Sequence, residues 1–547
     1  MNMKVRFAAL ACAIVALTLD STSIAAEADT QPLYDDLGDY HYEITTSVPL
    51  AQQYFDQGLR LYYAFNHAEA IRAFRMAQSL DSSCAMCWWG EALAWGPNIN
   101  LPMDVPSAQA AFAASAHAMA RKSFASRKER ALIEALVQRY SATPTEQRSE
   151  LDKVYAEAMY SLARQYPDDL DIRVLYAESL MDLRPWDYWQ ADGLPQEGMD
   201  VALAYLEDAI DKDEQHPGAC HFYIHAVEEV YPQRAVACAE RLANLMPGAG
   251  HLVHMPGHIY IRVGRYLDAV AANEHAVHAD ETYIRDQHPS MGMYTAGYYP
   301  HNYDFLAFAA MMIGRSQLSV DSAQKMITLL PAEMFGSPGM DWLEHYSIRP
   351  LLMQVRFAQW KDILEVQQPP SERLHALAIW NYAQGRAHAA LGNKRQAEAS
   401  LAQLRKISLR PELTELKMEF NSSSELTAIA ERVLTGWQSA AASDFDTAIE
   451  ALQEAVRLED ELLYGEPPEW SVPALQDLGA VLLLANKAED AETAFRADLN
   501  QFPENGWSLY GLARALRAQN KSAEAAEVEV VLERVWSTAD VKLEEVF

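Results

Sequence analysis

The chain has 547 residues, with 44 Lys and Arg set against 76 Asp and Glu, for a formal net charge of −32. A surface this acidic repels phosphate backbones and anionic lipid headgroups, which excludes nucleic acid and anionic membrane surfaces as partners. Half of the residues are hydrophobic, enough apolar surface for a large core, arranged as several domains or as an array of repeats.

The first 26 residues read as a secretory signal. Lys4 and Arg6 precede an apolar stretch from Phe7 to Leu19, small residues follow, and cleavage is expected near Ala25 or Ala26. The apolar stretch is too short to span a bilayer, and the rest of the sequence holds no apolar run of about 18 residues. The expectation is export, periplasmic or secreted, with no membrane insertion after cleavage. Such a compartment permits disulfides. Cys84, Cys87, Cys220 and Cys238 remain after cleavage, and sequence alone leaves three pairings open.

Residues 27–47 form a lead segment. From residue 48 onward apolar residues recur at helical spacing, strand-type alternation is scarce, and Gly and Pro punctuate the chain at short intervals. One frame returns. "FDQGLRLYYAFNHAEAIRAFRMAQSLD" sets Gly58, Ala70, Phe74 and Ala77 in it. "GHIYIRVGRYLDAVAANEHAV" sets Gly257, Tyr260, Gly264, Ala269 and Ala276. Gly385 and Ala397 mark another copy. The clearest copy carries Gly479, Ala491, Phe495 and Pro503. This frame resembles the tetratricopeptide repeat, two antiparallel helices in about 34 residues. The resemblance implies an all-α, right-handed solenoid whose concave groove is lined by the first helix of each repeat. It places TPR-like repeats over 48–430, with a His-rich groove at 216–310, and further repeats over 431–547. It implies a protein, peptide or small-molecule partner in the groove and no specific activity, since one scaffold carries many tasks.

Three insertions interrupt the frame: 96–107, 182–198 with Trp186 and Trp189, and 285–300 with His288, Met291 and Met293. Loops this long in a compact array are often functional, and otherwise act as packed spacers. "CAMC" opens a first helix, and Cys84 and Cys87 there are candidates for a disulfide, a redox pair, a soft-metal site or reduced core thiols. Glu91 and Glu178 sit inside apolar helices, where a carboxylate needs a partner. Arg184 is a candidate.

The strongest chemical signal is histidine. "CHFYIHAVE" carries His221, His225 and Glu228, and "HLVHMPGHIY" carries His251, His254 and His258. Residues three, four and seven apart share one stripe of a helix. In the repeat frame His251, His254 and His258 take the second, fifth and ninth places of a first helix. His221, His225 and Glu228 take the fifth, ninth and twelfth of the preceding one. His301 and Asp304 take the second and fifth of the following one. The resemblance implies that these places face the groove. Imidazoles and carboxylates converging from three helices suit one or two transition-metal ions, Cu, Zn or Fe among them. Met291 and Met293 would favour copper if their loop closed over the site. Glu228 and Asp304 are candidate proton acceptors should there be a reaction. Two other readings stand beside the metal: a His-rich groove for an acidic peptide or small anion, and a structural hydrogen-bond network. Pro256 is expected to interrupt its helix. "HFYIH" lacks the Glu that follows the first His of a zincin, and no phosphate-binding loop or serine elbow is present.

Overall fold

The computed structural model describes residues 31–143, 148–337 and 339–546. The secretory signal expected over residues 1–26 lies outside the described residues. All regular structure among them is helical, apart from isolated bridges such as Asn98 with Leu101 and Trp189 with Pro195. This is the all-α class, built from tetratricopeptide-like helical hairpins packed in series as in a solenoid. No described helix is long and apolar enough to cross a membrane. The chain divides into two compact units. One holds the residues up to Ile259 together with His278–His288. The other holds Tyr260–Val277 and the residues from Pro289 onward. The division expected near residue 430 falls inside the continuous helix Ser423–Ala441.

In the first unit the opening hairpin pairs helix Pro49–Tyr63 with His67–Leu80. Helix Ala85–Ala94 follows, with Cys84 as its N-cap. Phe74 fills the space between these elements. A methyl group added at Gly58 would lie 2.6 Å from its ring, and one added at Gly90 would lie 2.4 Å from it. One aromatic is therefore held between glycines of two successive first helices. The second unit repeats the device, with Phe495 against Gly479 and Gly511 at 2.5 and 2.2 Å.

The turns repeat as closely as the helices. Phe65 in the first unit, and Gly264, Gly314, Ala358, Gly392, Ser443, Asn486 and Asn520 in the second, all adopt a left-handed backbone. In each case the N–H of the next residue reaches back five residues to a carbonyl of the preceding helix, as in Asn66 to Leu61 and Lys487 to Leu482. This is the Schellman closure, which suits Gly or Asn and strains other residues. Only one occupant of this place in the described chain is aromatic: Phe65.

Disulfides join Cys84 to Cys87 and Cys220 to Cys238. Arg184 partners neither buried glutamate. It faces Asp187, while Glu91 is held by Arg75 and Gln78 and Glu178 accepts from the Tyr62 hydroxyl. Glu91 thus finds its partners on the adjacent helix, and Glu178 finds its partner on the first helix, 116 residues earlier in the chain.

Candidate metal centre

Three segments of the first unit build the site. Helix Pro217–Val227 supplies His221 and His225, and Glu228 caps it. Helix Gly250–His254 supplies His251 and His254. Pro256 ends that helix's hydrogen bonding as expected, and His258 comes from the next short helix, Pro256–Arg262. The end of helix Pro49–Tyr63 and its turn close the third side. Gly218 makes that approach possible, because a Cβ there would lie 2.3 Å from the ring of Tyr63. With the two helices so close, His221 Nδ1 lies 2.6 Å from the Tyr63 carbonyl oxygen. A carbonyl only accepts, so His221 carries its proton on Nδ1 and turns the lone pair of Nε2 to the interior.

His221, His225 and His251 each offer a ligand atom within 4.8 Å of the others, and so do His225, Glu228 and His258. His221 Nε2 and His251 Nε2 are 3.2 Å apart. Glu228 Oε1 lies 3.4 Å from His225 Nδ1, and Oε2 lies 2.8 Å from His258 Nδ1. His258 Nε2 is 2.9 Å from His254 Nε2. The six expected residues of this unit therefore form one connected cluster. His225 Nε2 is buried and has no hydrogen-bond partner among the described residues.

The cluster is closed. Its six members are at most 3 % exposed, Glu228 included. This corrects the expectation of an open concave groove. The cover comes from two places. The insertion 182–198 lies against the end of helix Pro217–Val227, where Trp189 Nε1 donates to the Ala226 carbonyl and Trp186 meets His225 edge-on at 5.2 Å. Phe65 caps the other side, 4.4 Å from His221 and stacked at 8° on His225 and 22° on His251. Phe65 and Trp186 both hold left-handed backbone, φ 56° and 63°. Strain of about 1–3 kcal/mol at a bulky residue persists only where its surroundings enforce it. Both instances press on the same imidazole.

Burial also sets the charge. It holds His221 well below the usual histidine range, helped by His225, and pushes His225 down to about 3. Both rings are neutral and need release no proton to bind a cation.

His301 and Asp304 belong to the second unit. His301 lies 3.4 Å from the Tyr346 hydroxyl. Asp304 is ion-paired with Arg349 at 2.9 Å, both buried. A carboxylate held by a guanidinium is a counter-ion, not an open proton acceptor, so the expected role of Asp304 is not the one its surroundings give it. Met291 is 59 % exposed. His275 and His278 are exposed, as their helix face requires.

Phe65, Tyr63 and His67 were not found by spacing arguments. His67 is half-buried, stacks on Tyr62 at 9°, and lies 5.7 Å from Phe65. The available signal was Phe65 itself, an aromatic at the turn place where the other repeats carry Gly, Asn, Ala or Ser.

By hairpin, turn closure and glycine-aromatic packing, the chain is an all-α protein of tetratricopeptide-like repeats. No family model and no curated protein matches the sequence. Among solved structures it is similar to the P58(IPK) TPR domain, at 11 % identity and TM-score 0.22 over 86 % of this chain and 99 % of that one. It is similar to the human IFIT1 dimer with m7Gppp-AAAA, at 12 % and 0.29 over 90 % and 91 %. It is also similar to yeast Tom70, at 14 % and 0.27 over 90 % and 93 %.

Proposed function

We propose that the protein is an exported repeat scaffold that holds one transition-metal ion between His221, His225 and His251. The carrying observation is the unpartnered, buried Nε2 of His225 beside two imidazole nitrogens that face each other. Without a cation, His251 must keep a proton on Nε2 to satisfy His221, and Nε2 of His225 is still left without a partner among the described residues. An ion accepts all three lone pairs. Tyr63 fixes the His221 tautomer as outer-shell carbonyls do at metal sites. Glu228 holds His225 from its other nitrogen, is itself held by His258, and offers a carboxylate beside the ion. Three imidazoles with an adjacent carboxylate suit Zn, Cu or Fe. A bound ion would supply Lewis-acid or redox capacity, which Phe65 and Trp186 screen from water.

Export is part of the same reading, supported by the leader pattern and by four cysteines in two disulfides. A scaffold of helical hairpins also fits a protein-interaction role, in which the ion stabilises the repeats that a protein or peptide partner uses.

The test is metal content by mass spectrometry on protein purified without a histidine tag, beside His225→Ala/His251→Ala. About one equivalent in the parent and none in the variant is expected. No ion in the parent, even after reloading with Zn(II), Cu(II) and Fe(II), leaves the histidines as a hydrogen-bond network and ends this reading.

A further inference from the structure

The second unit contains a pocket of about 350 Å³, within the range of small-molecule sites. Its walls come from helices Trp342–Arg356, Leu374–Ala390, Ser423–Ala441 and Ala474–Leu484. Trp360, Trp437 and a floor of alanines make much of it apolar. Its polar groups are unevenly satisfied.

Arg356 lies on the wall with its guanidinium plane 3.6 Å over the ring of Trp507. That stacking covers a face and leaves the edge donors unused. Neither Nε nor Nη2 has a hydrogen-bond partner among the described residues. Arg386, by contrast, lies over Trp437, donates to the Tyr382 hydroxyl and sits 3.6 Å from Asp477. Among the described residues no carboxylate forms an ion pair with Arg356, and the charges of Asp477 and Asp498 act on it only from longer range. A guanidinium keeps its proton, so its buried edge calls for an anion, best a carboxylate matched to the fork.

The opposite lack sits on the same wall. Asp477 Oδ1 accepts from Trp437 Nε1 at 2.6 Å, while Oδ2 has no donor. Gln476 directs its amide nitrogen at Asp498 and Asn505, which leaves Oε1 without a donor. The pocket therefore lacks an acceptor for a cation and donors for two acceptors, beside aromatic walls.

We propose that this pocket binds a large apolar α-amino acid as its free zwitterion, with the carboxylate on Arg356, the ammonium toward Asp477 and Gln476, and the side chain against Trp360 and Trp437. This site is independent of the metal reading.

Isothermal titration of the full chain with L-phenylalanine, L-tryptophan and L-leucine tests it. At least one should bind with a Kd below about 1 mM. N-acetyl-L-phenylalanine keeps the carboxylate without the ammonium, and phenylalanine amide does the reverse. Each should bind about ten-fold or more weakly than phenylalanine, as the loss of a charge-assisted hydrogen bond predicts. Arg356→Gln should weaken binding similarly, and Ala389→Trp should abolish it by filling the pocket from a half-buried position. Thermal melts confirm that both variants fold. No binding of any amino acid at about 10 mM overturns the proposal, as does binding that survives both variants. Equal affinity for the N-acetyl compound also overturns it, and assigns the pocket to a peptide C-terminus.

Discussion

At the scale of single residues, buried polar groups decide what the first unit tolerates. Asp171, at the start of helix Leu170–Met181, accepts from the Tyr63 hydroxyl at 2.7 Å and the Tyr40 hydroxyl at 2.8 Å. Asp169, Lys128 and His216 also face it. Burial, reinforced by Asp169, pushes its carboxyl up to about 7. The folded state thus keeps a proton that the unfolded chain has released. That contribution to stability is complete below about pH 4 and is lost as pH rises through about 7. Asp171→Asn keeps an acceptor for one tyrosine and removes the titration. The melting temperature of the parent should fall more steeply between pH 5 and 8 than that of the variant, and equal slopes would count against the shift. Spacing alone located six of the site's side chains, because a helical stripe is a local property. It placed them in an open groove because their cover is not local: Phe65 and Trp186 lie roughly 40 to 190 residues away along the chain. The same limit applies to Asp304, whose stripe was read from sequence while its partner Arg349 stands about two turns into a later helix.

At the scale of elements, the recurrent unit is a hairpin fixed by a glycine, an aromatic and a left-handed turn. Glycine inside a helix ordinarily costs about 1 kcal/mol relative to alanine, so Gly→Ala at most helical sites stabilises. Gly90→Ala should do the reverse. Its new methyl group would stand 2.4 Å from the Phe74 ring, which is itself fixed against Gly58, and overpacking of this kind costs about 1–3 kcal/mol. Urea unfolding measures it, and an unchanged or raised midpoint would show that Phe74 can move aside. The repeat frame was readable because these small and aromatic residues recur at fixed intervals. The insertions were readable as interruptions only. That residues 182–198 close over histidines follows from the bond of Trp189 to Ala226, which no periodicity encodes.

At the scale of the whole molecule, the excess of acid dominates. A net charge of −32 makes the compact state repel itself, and exposed ion pairs such as Arg457 with Glu454 and Glu461 contribute little to offset it. Added salt screens the repulsion over a Debye length that falls to about 8 Å at physiological ionic strength. Raising NaCl from about 10 to 150 mM should therefore raise the melting temperature. A decrease would show that paired charges outweigh the unpaired excess. The charge was readable from composition, and its division between two compact units was not, because the unit boundary runs through helices that show no break in sequence.

The bond from His221 to the Tyr63 carbonyl joins positions 158 residues apart, and the walls of the cluster close only when the intervening hairpins have formed. An ion that belongs there has to be enclosed during folding, or wait for the walls to part. Occupancy would then exchange slowly with the surroundings. If the proposed ion binds there, its identity would record which ions were present where the chain folded.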